Sequence, residues 1–108
     1  MEVFYADIRL QAICASAREM RKQFGEEGAK KLQLRLQALR VSETLDDLFQ
    51  MPGRCHPLRG DRAGCHAMDL HQGHRLVFRL MSLEEKIEQG LSEEQAALVI
   101  EIVDYHRG

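Results

Sequence analysis

Cysteine is scarce and odd in number: Cys14, Cys55 and Cys65 stand at irregular spacing in 108 residues. That excludes a disulfide framework and fits a reducing compartment such as the cytoplasm. Long apolar runs are also absent. The longest holds five residues, Ala96-Ala97-Leu98-Val99-Ile100, against the roughly 20 that a membrane helix needs, so no membrane span is expected. The opening Met1-Glu2-Val3-Phe4 lacks a basic or apolar leader region, and no secretory signal is expected. With 2 prolines and 8 glycines, 44% hydrophobic and 30% charged residues, the composition excludes a disordered, collagen-like or low-complexity chain. No repeat or long linker divides it. The expectation is a single domain over residues 1–108 with one modest core.

The formal net charge of -2 conceals an uneven distribution. Residues 1–50 are balanced. Residues 51–81 set Arg54, Arg59, Arg62, Arg75 and Arg79 against only Asp61 and Asp69, and also hold His56, His66, His71 and His74. Beyond residue 82 the chain is acidic. Arginine alone supplies the cations of the middle segment, and its planar fork of donors matches phosphate oxygens. Arg54, Arg59, Arg62 and Arg79 are therefore candidate phosphate or RNA contacts, although surface arginines more commonly pair with carboxylates.

Periodicity changes along the chain. Val3 to Tyr5 reads as a strand, and Asp7 as the cap of a helix whose stripe of Leu10, Ile13, Cys14, Ala17, Met20 and Phe24 stops at Gly25. A second helix from Glu26-Glu27 carries Ala29, Leu32, Leu36 and Leu39, with Lys30, Lys31, Arg35 and Arg40 outside the stripe. Ser42 is the expected cap of a third, short helix through Leu45, Leu48 and Phe49, and Met51-Pro52-Gly53 breaks the pattern. From Cys55 the period is two. His66 to Leu70 and Arg75 to Met81 form a hairpin about a turn at residues 71–74. Leu76, Phe78 and Leu80 point to one face and Arg75, Val77, Arg79 and Met81 to the other. Ser82-Leu83-Glu84-Glu85 and Ser92-Glu93-Glu94-Gln95 have capping-box spacing and bracket an acidic helical insertion at about 82–95. Ala97 to Val103 reads as a buried central strand.

Two places hold chemistry. Asp104 and His106 lie two apart just beyond the last strand, a rigid mount on which a carboxylate and an imidazole can act together, with Tyr105 between them. His56 sits in a donor-rich loop stiffened by Pro57 and turned by Gly60. Cys55-His56 and Cys65-His66 raise the question of zinc. Adjacent residues on a strand face opposite ways, however, and zinc ligands are ordinarily spaced by two to four residues, so no metal site is expected.

The stretch Arg54-Cys55-His56-Pro57-Leu58-Arg59-Gly60-Asp61-Arg62-Ala63-Gly64, then Met68-Asp69-Leu70, His74 to Arg79, and the closing Glu101-Ile102-Val103-Asp104-Tyr105-His106 resemble the plasmid-maintenance killer proteins. These are the HigB branch of the RelE-type toxins of bacterial toxin–antitoxin pairs. Phe24-Gly25, Ala29-Lys30-Lys31-Leu32 and Arg35-Leu36 extend the resemblance through the N-terminal half. It implies an α+β fold, N-terminal helices packed on one face of a twisted, mostly antiparallel sheet. It also implies an endoribonuclease that cuts mRNA in the ribosomal A site, needs no cofactor, and is silenced by a HigA-like helix-turn-helix antitoxin. Asp104, Tyr105 and His106 take the family's catalytic positions, His56 that of the loop histidine and Arg75 that of the strand arginine. His106 is then the principal acid/base, Arg75 the phosphate clamp and His56 a second proton-transfer or phosphate-orienting group. Asp104 would hold a histidine or the RNA, and Tyr105 would stack on a base.

Two features depart from the family pattern. Cys65 and His66 stand where many relatives have glutamine and an aromatic residue, and the 82–95 insertion carries five glutamates against Lys86. Overall acidity and that insertion favour the competing reading, a toxin-like module that binds an antitoxin for operon autoregulation without catalysis. The five site residues favour the enzyme.

Overall fold

The computed structural model describes residues 1–91 and 94–104. The strands are β1 (Glu2–Tyr5), β2 (His56–Pro57), β3 (Cys65–Asp69), β4 (His74–Leu80) and β5 (Ala96–Asp104). They form one sheet in the order β1-β5-β4-β3-β2. β1 runs parallel to β5, and every other neighbouring pair is antiparallel. The helices are α1 (Ile8–Cys14), α2 (Ala17–Val41), α3 (Leu45–Phe49) and α4 (Leu83–Glu88). Leu10, Leu32, Leu36, Leu39 and Leu48 from the first three pack against Met68, Leu76, Phe78 and Val99 of the sheet. The expected mixed α+β architecture is present. Among the described residues no helix is long and apolar enough to cross a membrane.

Local chemistry explains most boundaries and corrects three expectations. Asp7 caps α1 by accepting from Leu10 N at 2.8 Å. The helix does not run on to Phe24. It ends at Cys14, and Ser16, in an extended conformation, starts α2 by accepting from Glu19 N at 3.2 Å. A serine that caps a helix competes with helix continuation, and the apolar spacing of three and four persists across the break and hides it. Gly25 (φ 75°, ψ 177°) interrupts α2 at the expected stop, in a left-handed conformation that glycine tolerates.

Ser42 does not cap α3. It is buried at the end of α2, where its Oγ donates to Ala38 O at 2.7 Å. Thr44 is the cap, paired reciprocally with Asp47. Arg35, expected outside the apolar stripe, is only 8% exposed. Its stem lies under Gly53, where a Cβ would come within 2.9 Å of Arg35 Cδ, and its Nε donates to Asp69 O at 2.8 Å. A long cationic side chain can bury its aliphatic part where its head finds an acceptor.

The hairpin turn is as expected. His71 O accepts from His74 N at 3.2 Å, and Gln72 and Gly73 both have positive φ (51° and 81°), the type I′ pattern. Across β4 and β5 the register shifts: Val77 faces Glu101 but Phe78 faces Val99, leaving Ile100 as the extra residue. This bulge changes the phase of β5, so that Leu98 and Glu101 both point away from the helices.

Candidate functional site

The sheet face turned away from α1–α3 carries the polar residues in three cross-strand rows. Asp69, Arg75 and Val103 form one; His56, Ala67, Val77 and Glu101 the next; Cys65, Arg79 and Leu98 the third. Residues in register share a face. The alternation of β4 therefore delivers Arg75 and Arg79 to the open side while Leu76 and Phe78 anchor the strand from below.

Asp69 is the hub of the first row. Its carboxylate accepts from Arg54 Nε at 2.8 Å and Nη2 at 3.1 Å, a bidentate pair, and lies 3.4 Å from Arg75 Nε. Its backbone is tied at both ends: its N–H donates to Gly53 O at 2.8 Å, and its carbonyl takes the Arg35 bond. Burial would push the Asp69 carboxyl up, but the hydrogen bond and charge of Arg54, with Arg75 and His56 adding to them, hold it below the usual carboxylate range. Two guanidinium groups thus share one carboxylate.

Arg54 itself has φ 51° and follows Gly53 at φ 120°. The strained turn sets its guanidinium against Asp69 and brings its carbonyl to the His56 ring. His56 Nδ1 donates to that carbonyl at 2.7 Å. A carbonyl only accepts, so Nδ1 must carry the proton, and Nε2 is left as the nitrogen that can take or give one.

The other arginines are also engaged. Arg62, on the single 3₁₀ turn Gly60–Arg62, donates Nε to Glu101 at 2.6 Å and makes a second bond through Nη2. Arg79 grips Glu85 of α4 through two 2.7 Å bonds. Arg59 is exposed, and among the described residues no carboxylate pairs with it. The expectation that surface arginines pair with carboxylates therefore describes Arg54, Arg62, Arg75 and Arg79.

The Cys-His pairs split across the sheet as strand alternation requires. Cys55 packs on the core and its thiol is pushed up to about 11 by burial, while His56 faces outward. Cys65 lies on the open face. His66 lies below, its ring 5.8 Å from both Phe49 and Phe78, and burial, then the neighbouring His56 charge, lowers its pKa. Its ring thus packs among aromatic side chains on the helix side of the sheet. Among the described residues no group of three or more His, Cys, Asp or Glu is placed to hold a metal ion.

Arg54, His56 and Arg75 are therefore brought together, whereas Arg79 stands about 13 Å along β4 from Arg75 at a rise of roughly 3.3 Å per residue. Asp104 pairs in register with His74, whose ring meets Phe24, so it shares the helix-facing side at the end of the sheet, next to the row of Arg75. Tyr105, His106 and the Ser92-Glu93 start of the second capping box lie outside the described residues.

No family model matches the sequence, and no curated protein matches it. Among solved structures, the YoeB/ParE toxin from Agrobacterium tumefaciens is similar, with a TM-score of 0.59 and 20% identity over 98% of this chain and 100% of that one. The fold is similar to that of a toxin. The likeness spans both chains almost completely, so the open face belongs to the shared fold rather than to an appendage.

Sequence reasoning gave no place on this face to Arg35, Asp69 or Glu101, and gave Glu85 only its capping role on α4, although these residues hold the arginines. Arg35 had a readable signal, since it occupies the i+3 place between Leu32 and Leu39, a core position for a helix. The carboxylate partners had none, because each pairing spans strands or an insertion.

The Arg79–Glu85 pair has a measurable pH signature. The Arg79 bonds, with the Ser82 N–H, lower the Glu85 pKa from 4.5 to about 2. Between these values the unfolded chain binds the extra proton and the folded one does not. Stability contributed by this group is complete above pH 4.5 and fades as pH falls toward 2. In acid unfolding followed by circular dichroism, Glu85→Gln is expected to flatten the pH dependence in that window and leave the slope above pH 5 unchanged.

Proposed function

We propose that this chain is the toxin of a bacterial toxin–antitoxin pair, of the HigB branch of the RelE-type toxins, and that it cleaves mRNA in the ribosomal A site. The carrying observation is the Asp69 hub: Arg54 and Arg75 fixed on one carboxylate beside a histidine with its Nε2 left open, on the side of the sheet turned away from α1–α3. A polymer can lie across such a face.

The chemistry is transesterification. The RNA 2′-hydroxyl loses a proton and attacks the adjacent phosphorus; the pentacoordinate phosphorane forms and then expels the 5′-oxygen, which gains a proton. The nucleophile is part of the substrate, so the protein must supply proton transfer and cationic stabilisation. In this reading Arg75 clamps the phosphate, and His106 and His56 handle the two protons. Asp104 holds a histidine or the RNA, and Tyr105 stacks on a base. Arg54, Arg59, Arg62 and Arg79 contact the RNA backbone. The same reading makes the chain a cytoplasmic protein with a HigA-like helix-turn-helix antitoxin as partner.

Expression of the chain alone is expected to arrest bacterial growth, and His106→Ala to relieve the arrest while its circular dichroism and melting temperature stay those of the parent. Purified ribosomes carrying a defined mRNA are expected to show cleavage with the parent chain only. One observation favours the competing reading of a non-catalytic, antitoxin-binding module: Arg54, Arg62, Arg75 and Arg79 all carry carboxylate partners, on a chain of net charge -2. Normal growth with abundant folded parent protein would point to that module and end the nuclease proposal.

A further inference from the structure

The acidic insertion is not merely attached beside the sheet; it is fastened to a guanidinium on the face assigned to RNA. Ser82 caps α4, and Glu85 returns the bond to Ser82 N at 2.9 Å. The same carboxylate meets Arg79 fork to fork, Nη1 to Oε1 and Nη2 to Oε2, each at 2.7 Å. A guanidinium receives two phosphate oxygens in this bidentate geometry too. Glu85 therefore stands where a phosphodiester oxyanion would stand.

Little else seats the helix. No residue of α4 is buried, and its apolar side chains Leu83 and Ile87 are each 62% exposed. Lys86 reaches back to Glu94 O at 3.1 Å, within the insertion itself. A short helix with so little buried apolar surface belongs to the low-stability end of a fold. Its carboxylate can be exchanged for another oxyanion without unpacking the core.

We propose that Arg79 is a phosphodiester subsite of the open face and that Glu85 occupies it in the free protein, so that RNA must displace α4 to engage it. The inference rests on the ribonuclease reading of that face and adds a gate to it. Arg79 stands about 13 Å along β4 from Arg75, on the same side of the sheet, so one strand of RNA clamped at Arg75 can reach it. The insertion then sets affinity: it stands in for the ligand with a charge of the same sign. It also accounts for acidity placed against the site in a protein meant to bind phosphates.

Binding of a short fluorescein-labelled single-stranded RNA of mixed sequence to the full chain, read by anisotropy across a salt series, tests this. Glu85→Gln is expected to bind about tenfold tighter at low salt and to steepen the slope of log K against log salt by about 0.7, one added phosphate contact on a single strand. Glu88→Gln makes the same change of charge on α4 without touching Arg79 and is expected to match the parent. Adding Arg79→Gln to Glu85→Gln is expected to abolish the gain. Hydrogen exchange on the parent chain gives a reading independent of any variant: amides of α4 are expected to exchange faster with RNA bound. Equal affinities for Glu85→Gln and Glu88→Gln, or unchanged or slower exchange in α4, with binding still dependent on Arg75, would overturn the gate and leave the ribonuclease reading intact. RNA binding by none of these proteins, or binding indifferent to Arg75→Ala, would overturn the reading and the gate together.

Discussion

Under the ribonuclease proposal, Arg75→Ala is expected to slow mRNA cleavage on the ribosome by about 10²–10³-fold, the effect of removing one donor aimed at charge that develops in the transition state. The arginine is well placed for that role. It sits on β4, the strand flanked by β3 and β5, directly opposite Asp69. The Asp69 carboxylate lies 3.4 Å from Arg75 Nε and also holds Arg54. The strand neighbour of Arg75, Leu76, is buried in the core with residues of α1–α3, which anchors β4 at this point. Arg75→Lys is expected to restore only part of the rate, because an ammonium lacks the planar fork. Asp69→Asn is expected to slow cleavage less than Arg75→Ala does, since it removes the anchor and leaves both guanidiniums. Antitoxin affinity, measured by calorimetry on the same variants, is expected to stay within a few-fold of the parent. Parallel losses of cleavage and antitoxin affinity would assign Arg75 a structural role instead.

Phe78→Ala is expected to have the largest effect on stability, about 3–5 kcal/mol. The ring has no exposed surface, stacks on His66 at 5.8 Å and packs in the cluster with Leu76 and Val99. Its removal opens a cavity beneath the one strand that carries both Arg75 and Arg79. For a domain of this size the melting temperature is expected to fall by upwards of about 12 °C in scanning calorimetry. Phe78→Leu, which keeps most of the apolar volume, is expected to lose well under half as much. A Phe78→Ala protein that melts within a few degrees of the parent would show that the sheet is held chiefly by β5 and the helices.

Much of this architecture was legible because its signals are local. Asp7, Gly25 and the turn at His71–His74 act within four residues of themselves, through caps and positive φ, and the structure has them where the pattern puts them. The alternation of β4 separated Leu76 and Phe78 from Arg75 and Arg79 without any knowledge of the other strands. Where two local signals compete, the pattern failed. Ser16 broke a helix whose apolar spacing continues through it, and Thr44 rather than Ser42 capped α3 because burial turned the Ser42 hydroxyl back to Ala38.

The sequence alone determined the types of the longer strands and helices, the face on which β4 displays its arginines, and the split of each Cys-His pair, since period and side-chain direction belong to the backbone of a single segment; the two-residue β2 (His56–Pro57), read as loop, is a strand only through its pairing with β3. Tertiary structure alone decided which carboxylate each guanidinium meets: Asp69 for Arg54 and Arg75, Glu101 for Arg62, Glu85 for Arg79. It also buried Arg35 beneath Gly53 and, through the bulge at Ile100, turned Glu101 to the open face. Those outcomes depend on register and on close approach between segments distant along the chain, and no spacing within one segment encodes either.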